Sequence, residues 1–358
     1  MTDPPTADGT VAHPPVVRRV QTRALPDSMA DRRPFLGALL GALTTDAGTP
    51  TKLQLDVVHA MLRSFMGLAA DGIDYDDVVR LDPIEAAEQL PDPRVRNELA
   101  HVLVTCELLL HPLPDELRRQ IERYAVALDI HLDALVVARD LAQHHLAMAY
   151  ADIERMSWYR HETIRESLDG RLIDLARNKL AYYGVGRDPA IAERWLALAD
   201  LPDGTWGRGV ADFYEAHGFA YPGTKHGIYE IGAHHDFVHV LADYAPDPEG
   251  EIDVFAFIAG TMEDPRGYMQ FVFTLALFQN AAVTRVGGKR VLIARADTLD
   301  EPGAVDRLAD ATRRAFLCPV DIMAGVDHFA WAAVPLDEAR VALSLVPKGV
   351  PSPTYLDN

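Results

Sequence analysis

Cysteine is nearly absent from this 358-residue chain, with Cys106 and Cys318 the only two. They are too few and too far apart for a disulfide scaffold or a cysteine-based zinc site, and a reducing cytosol suits them. Long apolar runs are also missing. The most apolar, Phe271 to Phe278, is too short to span a bilayer and is bounded by Gln270, Gln279 and Asn280. The first thirty residues hold Pro4, Pro5, Pro14, Pro15 and Pro26 but no apolar stretch of the kind a signal peptide carries. Arg18, Arg19 and Arg23 stand among acids, which speaks against a transit peptide. Basic residues are scarce, 34 against 53 acidic, for a net charge of −19. That balance excludes phosphate-backbone binding as a main activity, so no nucleic-acid partner is expected. It also opposes adsorption to an anionic bilayer, so peripheral contact with the inner face of a membrane would need a local apolar or basic patch. The expectation is a soluble cytoplasmic protein.

Strand-like alternation is lacking as well, while apolar residues recur at helical spacing along most of the chain. The fold expected is all-α, in two helical domains. Residues 1–31 read as a disordered or loosely attached tail. Residues 32–151 read as the first domain. Leu55, Val58, Leu62, Phe65 and Met66 line one side of a helix, and others cover Val95 to Leu110, Pro112 to Leu128 and Ile130 to Tyr150. Two turns about forty residues apart, Ala70–Ile73 and Leu110–Glu116, each close one helix and open another, a sign of weak internal duplication. This arrangement resembles the tellurite-resistance protein B-like helical domain, in which acidic turn residues take metal. Here those would be Asp71, Asp74, Asp76 and Asp77, although a solvated helix cap explains them more simply. Residues 152–167 read as a linking helix, 168–347 as the second domain and 348–358 as a tail. The adjacent His144 and His145 point about 100° apart and make no site by themselves.

The chemistry concentrates between His234 and Glu251. His235 and His239 are four residues apart, so a helix places them on one face, about 40° apart in projection. Asp236 falls within the same arc. Pro246, Pro248 and Gly250 then end the helix, and Glu251 opens the next apolar run. A connection this short makes the two helices neighbours and lets Glu251 reach back to the imidazoles. Two neutral imidazoles with one or two carboxylates suit a catalytic Zn²⁺, and equally a non-haem Fe²⁺. Zn²⁺ is the metal expected first. A polar helix face is the plain reading of such a histidine pair; the carboxylate after the turn and nearby Phe237, Phe255, Phe257, Phe271 and Phe273 weigh against it.

The spacing His235-Asp236-x-x-His239-x11-Glu251 resembles the metal-binding signature of the coenzyme Q biosynthesis protein 4 family. Upstream, Leu201-Pro202-Asp203-Gly204-Thr205-Trp206-Gly207-Arg208 is similar to that family's opening segment. Downstream, Trp331 and Pro335-Leu336-Asp337-Glu338-Ala339-Arg340 resemble its closing helix. The similarity covers residues 173–346. It implies a role in ubiquinone assembly, namely removal of the ring C1 carboxylate of a prenylated 4-hydroxybenzoate, coupled or not to hydroxylation. It also implies His235, Asp236, His239 and Glu251 as ligands and catalytic residues, and a prenylated aromatic or prenyl lipid as the hydrophobic partner. A homodimer and partner enzymes stay open. The added N-terminal helices depart from the family pattern and put the substrate in doubt.

Phe237 and Phe255 are the expected walls of a substrate pocket. Arg285, Lys289 and Arg290 flank Gly287-Gly288 and read either as an anion clamp for a carboxylate or phosphate or as charges in solvent. Arg290–Ala294 is the one stretch that reads as strand, with no obvious partner. Two rival functions remain. One is a non-catalytic scaffold that carries a prenyl lipid around a structural, four-ligand metal. The other is a metal phosphohydrolase, for which His235-Asp236 supplies only part of the ligands and the Glu251 spacing is unexplained.

Overall fold

The computed structural model describes residues 13–19, 29–46, 48, 50–66, 77–131, 133–142, 165, 177, 180–262, 266–281, 285–286, 289–290 and 295–357. The fold is all-α. Six helices precede the gap after residue 142: α1 (Met29–Leu43), α2 (Lys52–Met66), α3 (Pro83–Gln89), α4 (Pro93–Leu108), α5 (Asp115–Ala127) and α6 (Asp133–Ala142). From Pro189 onward, among the described residues, lie eight more: α7 (Pro189–Leu196), α8 (Trp206–His217), α9 (Glu230–Ala242), α10 (Pro248–Thr261), α11 (Gly267–Phe278), α12 (Ala304–Leu317), α13 (His328–Trp331) and α14 (Leu336–Ala342).

Four of these helices open on Asp-Pro. Asp82, Asp92, Asp188 and Asp247 are N-caps, each accepting a first-turn amide, and proline follows at N1 where its missing N–H costs nothing. Asp82 and Glu85 form a reciprocal capping box. The acids that make the chain so negative thus do local structural work. α8 ends on Gly218 and α9 on Asp243, both in the left-handed conformation that stops a helix.

Two apolar cores hold these helices. The smaller lies within the first six and contains Phe35, Leu39, Leu99, Leu103, Ile121 and Leu128. The larger draws Val57, Val104, Leu108 and Val137 together with Trp206, Phe237, Val254, Phe257, Leu275 and Leu308. α2 packs on α12, while α11 packs on α4 and α6. Polar bonds follow the same seam: the Tyr268 hydroxyl donates to His101 O at 2.7 Å, and Gln279 Nε2 to Leu109 O at 3.1 Å. Asn280 Nδ2 donates to Leu108 O. The two halves therefore share one core. Most of the expected linking helix, with His144 and His145, lies outside the described residues, as do Asp71, Asp74 and Asp76; Asp77 is exposed.

Three local expectations need revision. Residues 13–19, read from composition as loose tail, are tied down: Val16 and Arg18 bridge to Val326 and Val320, and Arg19 donates to the carbonyls of Gly260, Ala315 and Phe316. At the other end, Gly349 N donates to Asp310 at 2.9 Å, and the Tyr355 carbonyl accepts from His217 Nε2 at 2.8 Å. Finally, only Arg290 of the expected strand Arg290–Ala294 lies within the described residues, and it belongs to a short hairpin. Arg285–Val286 (β1) pairs antiparallel with Lys289–Arg290 (β2) across the Gly-Gly pair. Two-residue arms leave the architecture all-α. Residues 291–294 and the side chains of Arg285, Lys289 and Arg290 lie outside the description, so the anion-clamp expectation is not addressed there.

Candidate metal centre

α9 and α10 place the signature. Asp243 turns the chain out of α9, residues 244–247 cross over, and Asp247 caps α10. A close approach holds this turn tight: a Cβ on Gly250 would fall 2.0 Å from Ala245 O, so only glycine fits. Glu251, one residue on, then faces the two imidazoles.

His235, His239 and Glu251 each offer a ligand atom, all within 4.8 Å of one another. His239 Nε2 stands 3.5 Å from Glu251 Oε1, and His235 Nε2 3.9 Å from Glu251 Oε2. Both rings are oriented from behind. His235 Nδ1 donates to Gly232 O at 2.5 Å and His239 Nδ1 to Tyr244 O at 3.0 Å. With their protons on Nδ1, both imidazoles turn the Nε2 lone pair toward the carboxylate. Backbone carbonyls fix metal-ligating histidines in this way.

Such an arrangement lacks something when left to itself. His239 is 0% exposed, and its Nε2 has no hydrogen-bond partner. Lone pairs of two imidazoles and a carboxylate point into one small volume, where a shared cation, a proton or a metal ion, must relieve their repulsion. The donor set fits a divalent cation of borderline softness. The electrostatics agree. Desolvation draws His239 down, yet Glu251, Asp236 and the Tyr244 carbonyl together hold it above the usual imidazole range. Desolvation likewise pushes Glu251 up, and the two imidazoles overcome it and hold the carboxyl below its usual range.

Asp236 has a different position from the other three. It falls outside the three-residue ligand group. Its Oδ2 accepts from the Tyr214 hydroxyl at 2.5 Å, while Oδ1 lies 3.3 Å from His235 Nε2. Desolvation raises both the Asp236 carboxyl and the Tyr214 phenol, so the phenol stays a donor. Asp236 sits beside the centre, anchored by α8.

The expected pocket walls separate likewise. Phe255 stacks on His235, with ring centroids 5.1 Å apart, and remains partly open. Phe237 is fully buried, packed against Trp195, Trp206, His328 and Phe329. It supports α9 from the face opposite the ligands and belongs to the core. The His235 and Glu251 side chains keep a little exposure, 12% and 16%. Phe255 and Ala259, one and two helical turns beyond Glu251 on α10, are both partly buried.

Sequence reasoning missed Tyr214 and His328. His328 Nε2 donates to Ile322 O at 2.9 Å, so its Nδ1 accepts from His234 Nδ1 at 3.0 Å. Burial pulls these rings down to about 3 and about 4, keeping both neutral. Neither residue has helical spacing from the motif, so no local pattern could have found them. No family model and no curated protein matches the chain.

Proposed function

We propose that this chain is a metal-dependent enzyme acting on a prenylated, hydroxybenzoate-like aromatic, removing the carboxyl group at ring C1. The observation that carries the metal assignment is the convergence of two backbone-oriented imidazoles and Glu251 on one buried volume, with His239 Nε2 unpartnered. The substrate class rests on the resemblance of the His235–Glu251 signature to the coenzyme Q biosynthesis protein 4 family.

His235, His239 and Glu251 would hold the ion, Zn²⁺ first and Fe²⁺ second. When bound, it supplies Lewis-acid stabilisation of negative charge on the substrate's oxygens. The chain's own residues do the rest. Gly232 O and Tyr244 O lock the two rings. Tyr214 holds Asp236 beside the candidate ligands, where its carboxyl is placed to hand on a proton. Phe255 and Ala259 offer an apolar flank for a ring and tail. Such a flank keeps water from the substrate carboxylate, which favours loss of neutral CO₂.

The candidate group has three members and Asp236 Oδ2 is held by Tyr214, which supports an enzyme with three protein ligands over a scaffold with a closed, four-ligand metal. A phosphohydrolase would need a further histidine at the centre. The distant histidine that reaches α9, His328, is engaged with His234 and Ile322 instead.

The test is elemental analysis and native mass spectrometry of the purified protein, followed by an assay for CO₂ release from a prenylated 4-hydroxybenzoate. One transition metal per chain and metal-dependent CO₂ release are expected. Metal without turnover of any prenylated benzoate would remove the enzyme reading; protein devoid of metal after loading would remove the site.

A further inference from the structure

Exposed apolar side chains and unpaired basic ones coincide on one face of the second half. Two stretches, residues 177–187 and 216–229, contain no Asp or Glu, in a chain that carries 53 acids among 358 residues. Their Lys and Arg residues are Arg177, Lys179, Arg187 and Lys225. The fold fastens the two stretches side by side. His226 N donates to Ala181 O at 3.0 Å, and Asp188 N to Gly223 O at 2.8 Å. Val185 N donates to Leu180 O at 2.8 Å and closes a turn. Within that turn Gly184, at φ +81°, lies so near the His226 ring that a Cβ there would clash with it. The turn holds large apolar side chains outward: Leu180 is 51% exposed, Tyr183 46% and Val185 58%. Ile228, two residues past His226, is 38% exposed. A group of this kind marks a contact surface, whereas single exposed apolar residues do not.

Charge decides what covers it. Arg187 and Lys225 are exposed, and neither makes an ion pair among the described residues. Arg194, Arg208 and Arg295, by contrast, each face a carboxylate. A second copy packed about a two-fold axis would set this basic face against itself. An anionic bilayer instead offers an apolar layer to the exposed side chains and phosphates to the cations. We propose that this face docks on an anionic lipid surface, with Leu180, Tyr183, Val185 and Ile228 entering the interfacial layer and Arg187 and Lys225 against its phosphates. The net charge of −19 opposes such contact, so the attachment is shallow, reversible and salt-sensitive. The docked face borders the candidate metal centre. Ile228 reaches over Gly232, whose carbonyl orients His235, and Tyr221 stacks on Tyr214, which holds Asp236. Attachment thus brings the centre to the bilayer, where a prenylated substrate would be dissolved, although the docking does not depend on the metal assignment.

The test is co-sedimentation of the full-length protein with vesicles of phosphatidylcholine, alone or mixed with phosphatidylglycerol. Binding to the mixed vesicles is expected, reversed by salt and about fivefold or more weaker on phosphatidylcholine alone. Val185→Glu, at an exposed position where folding is not at stake, should weaken binding about tenfold. Replacing Arg187 and Lys225 together by Ser should weaken it about tenfold or more. Val126→Glu, at an exposed apolar position on α5 in the other half, should leave it unchanged. Metal content measured on the same variants should match the wild type, so the docking face and the metal centre stand or fall separately. No binding to mixed vesicles, equal binding to both kinds, or Val185→Glu binding as the wild type does would overturn the assignment. So would sedimentation velocity showing a dimer that Val185→Glu dissociates in place of vesicle binding, which would give the face to a second copy.

Discussion

Two glutamates, Glu107 buried and Glu251 mostly so, show how differently this fold treats the same side chain in its two halves. Glu107 sits in α4 with Oε1 unpartnered, and burial pushes it up to about 8 despite the pull of Arg118. Glu251 sits in α10 facing two imidazoles, which hold it below its usual range. Burial acts upward on both. The difference is the company: a lone buried carboxyl keeps its proton, whereas one set against convergent nitrogen ligands stays an anion. The first is a local cost to stability. The second belongs to the candidate ligand group, and it lies in the half whose motif resembles a metal-binding signature.

The largest test of this contrast is Glu251→Gln, which keeps the shape and removes the charge. Stoichiometric metal should fall below a tenth of the wild-type content by elemental analysis, whereas Glu107→Gln should leave it intact. Full metal in Glu251→Gln would end the distinction. Next in size is Leu103→Ala in the smaller core, where a fully buried leucine is lost. It should cost roughly 2–5 kcal/mol in denaturant-induced unfolding, with metal content unchanged in the folded protein. Tyr214→Phe removes the hydrogen bond that anchors Asp236 while keeping the ring. Metal affinity measured against a competing chelator should drop about 10–100-fold, and an unchanged affinity would detach Asp236 from the centre.

The smallest effect concerns Glu107 and pH. Its folded pKa is raised, so its favourable contribution is fully present below the unfolded value of 4.5 and is lost as pH rises through about 8. Over that window the unfolded chain has shed its proton and the folded protein retains it. Glu107→Gln should therefore flatten the loss, leaving the variant more stable than wild type near pH 8, with the gap closing toward pH 4.5. A pH-independent difference in melting curves would contradict this origin.

Helical periodicity and absent alternation were enough to set the class of the fold, because side-chain spacing along the backbone is a local effect. The i, i+4 histidines and a carboxylate after a short turn were legible for the same reason: spacing of 3.6 residues per turn fixes which residues share a face. What only the tertiary structure decided involves groups distant in sequence. Tyr214 reaches Asp236 from α8 and sets it apart from the ligand group, and His328 comes from ninety-four residues away to pair with His234. Residues 13–19, featureless by composition, are fastened partly by backbone hydrogen bonds to Gly325 and Pro319, and residues 349–355 by the side chains of the distant Asp310 and His217. Val57, Val104 and Val137 joined the same core as Phe237 and Phe257. Apolar patterning says that a face is buried, but not against which partner: burial free energy scales with area and is blind to where in the chain the covering surface comes from.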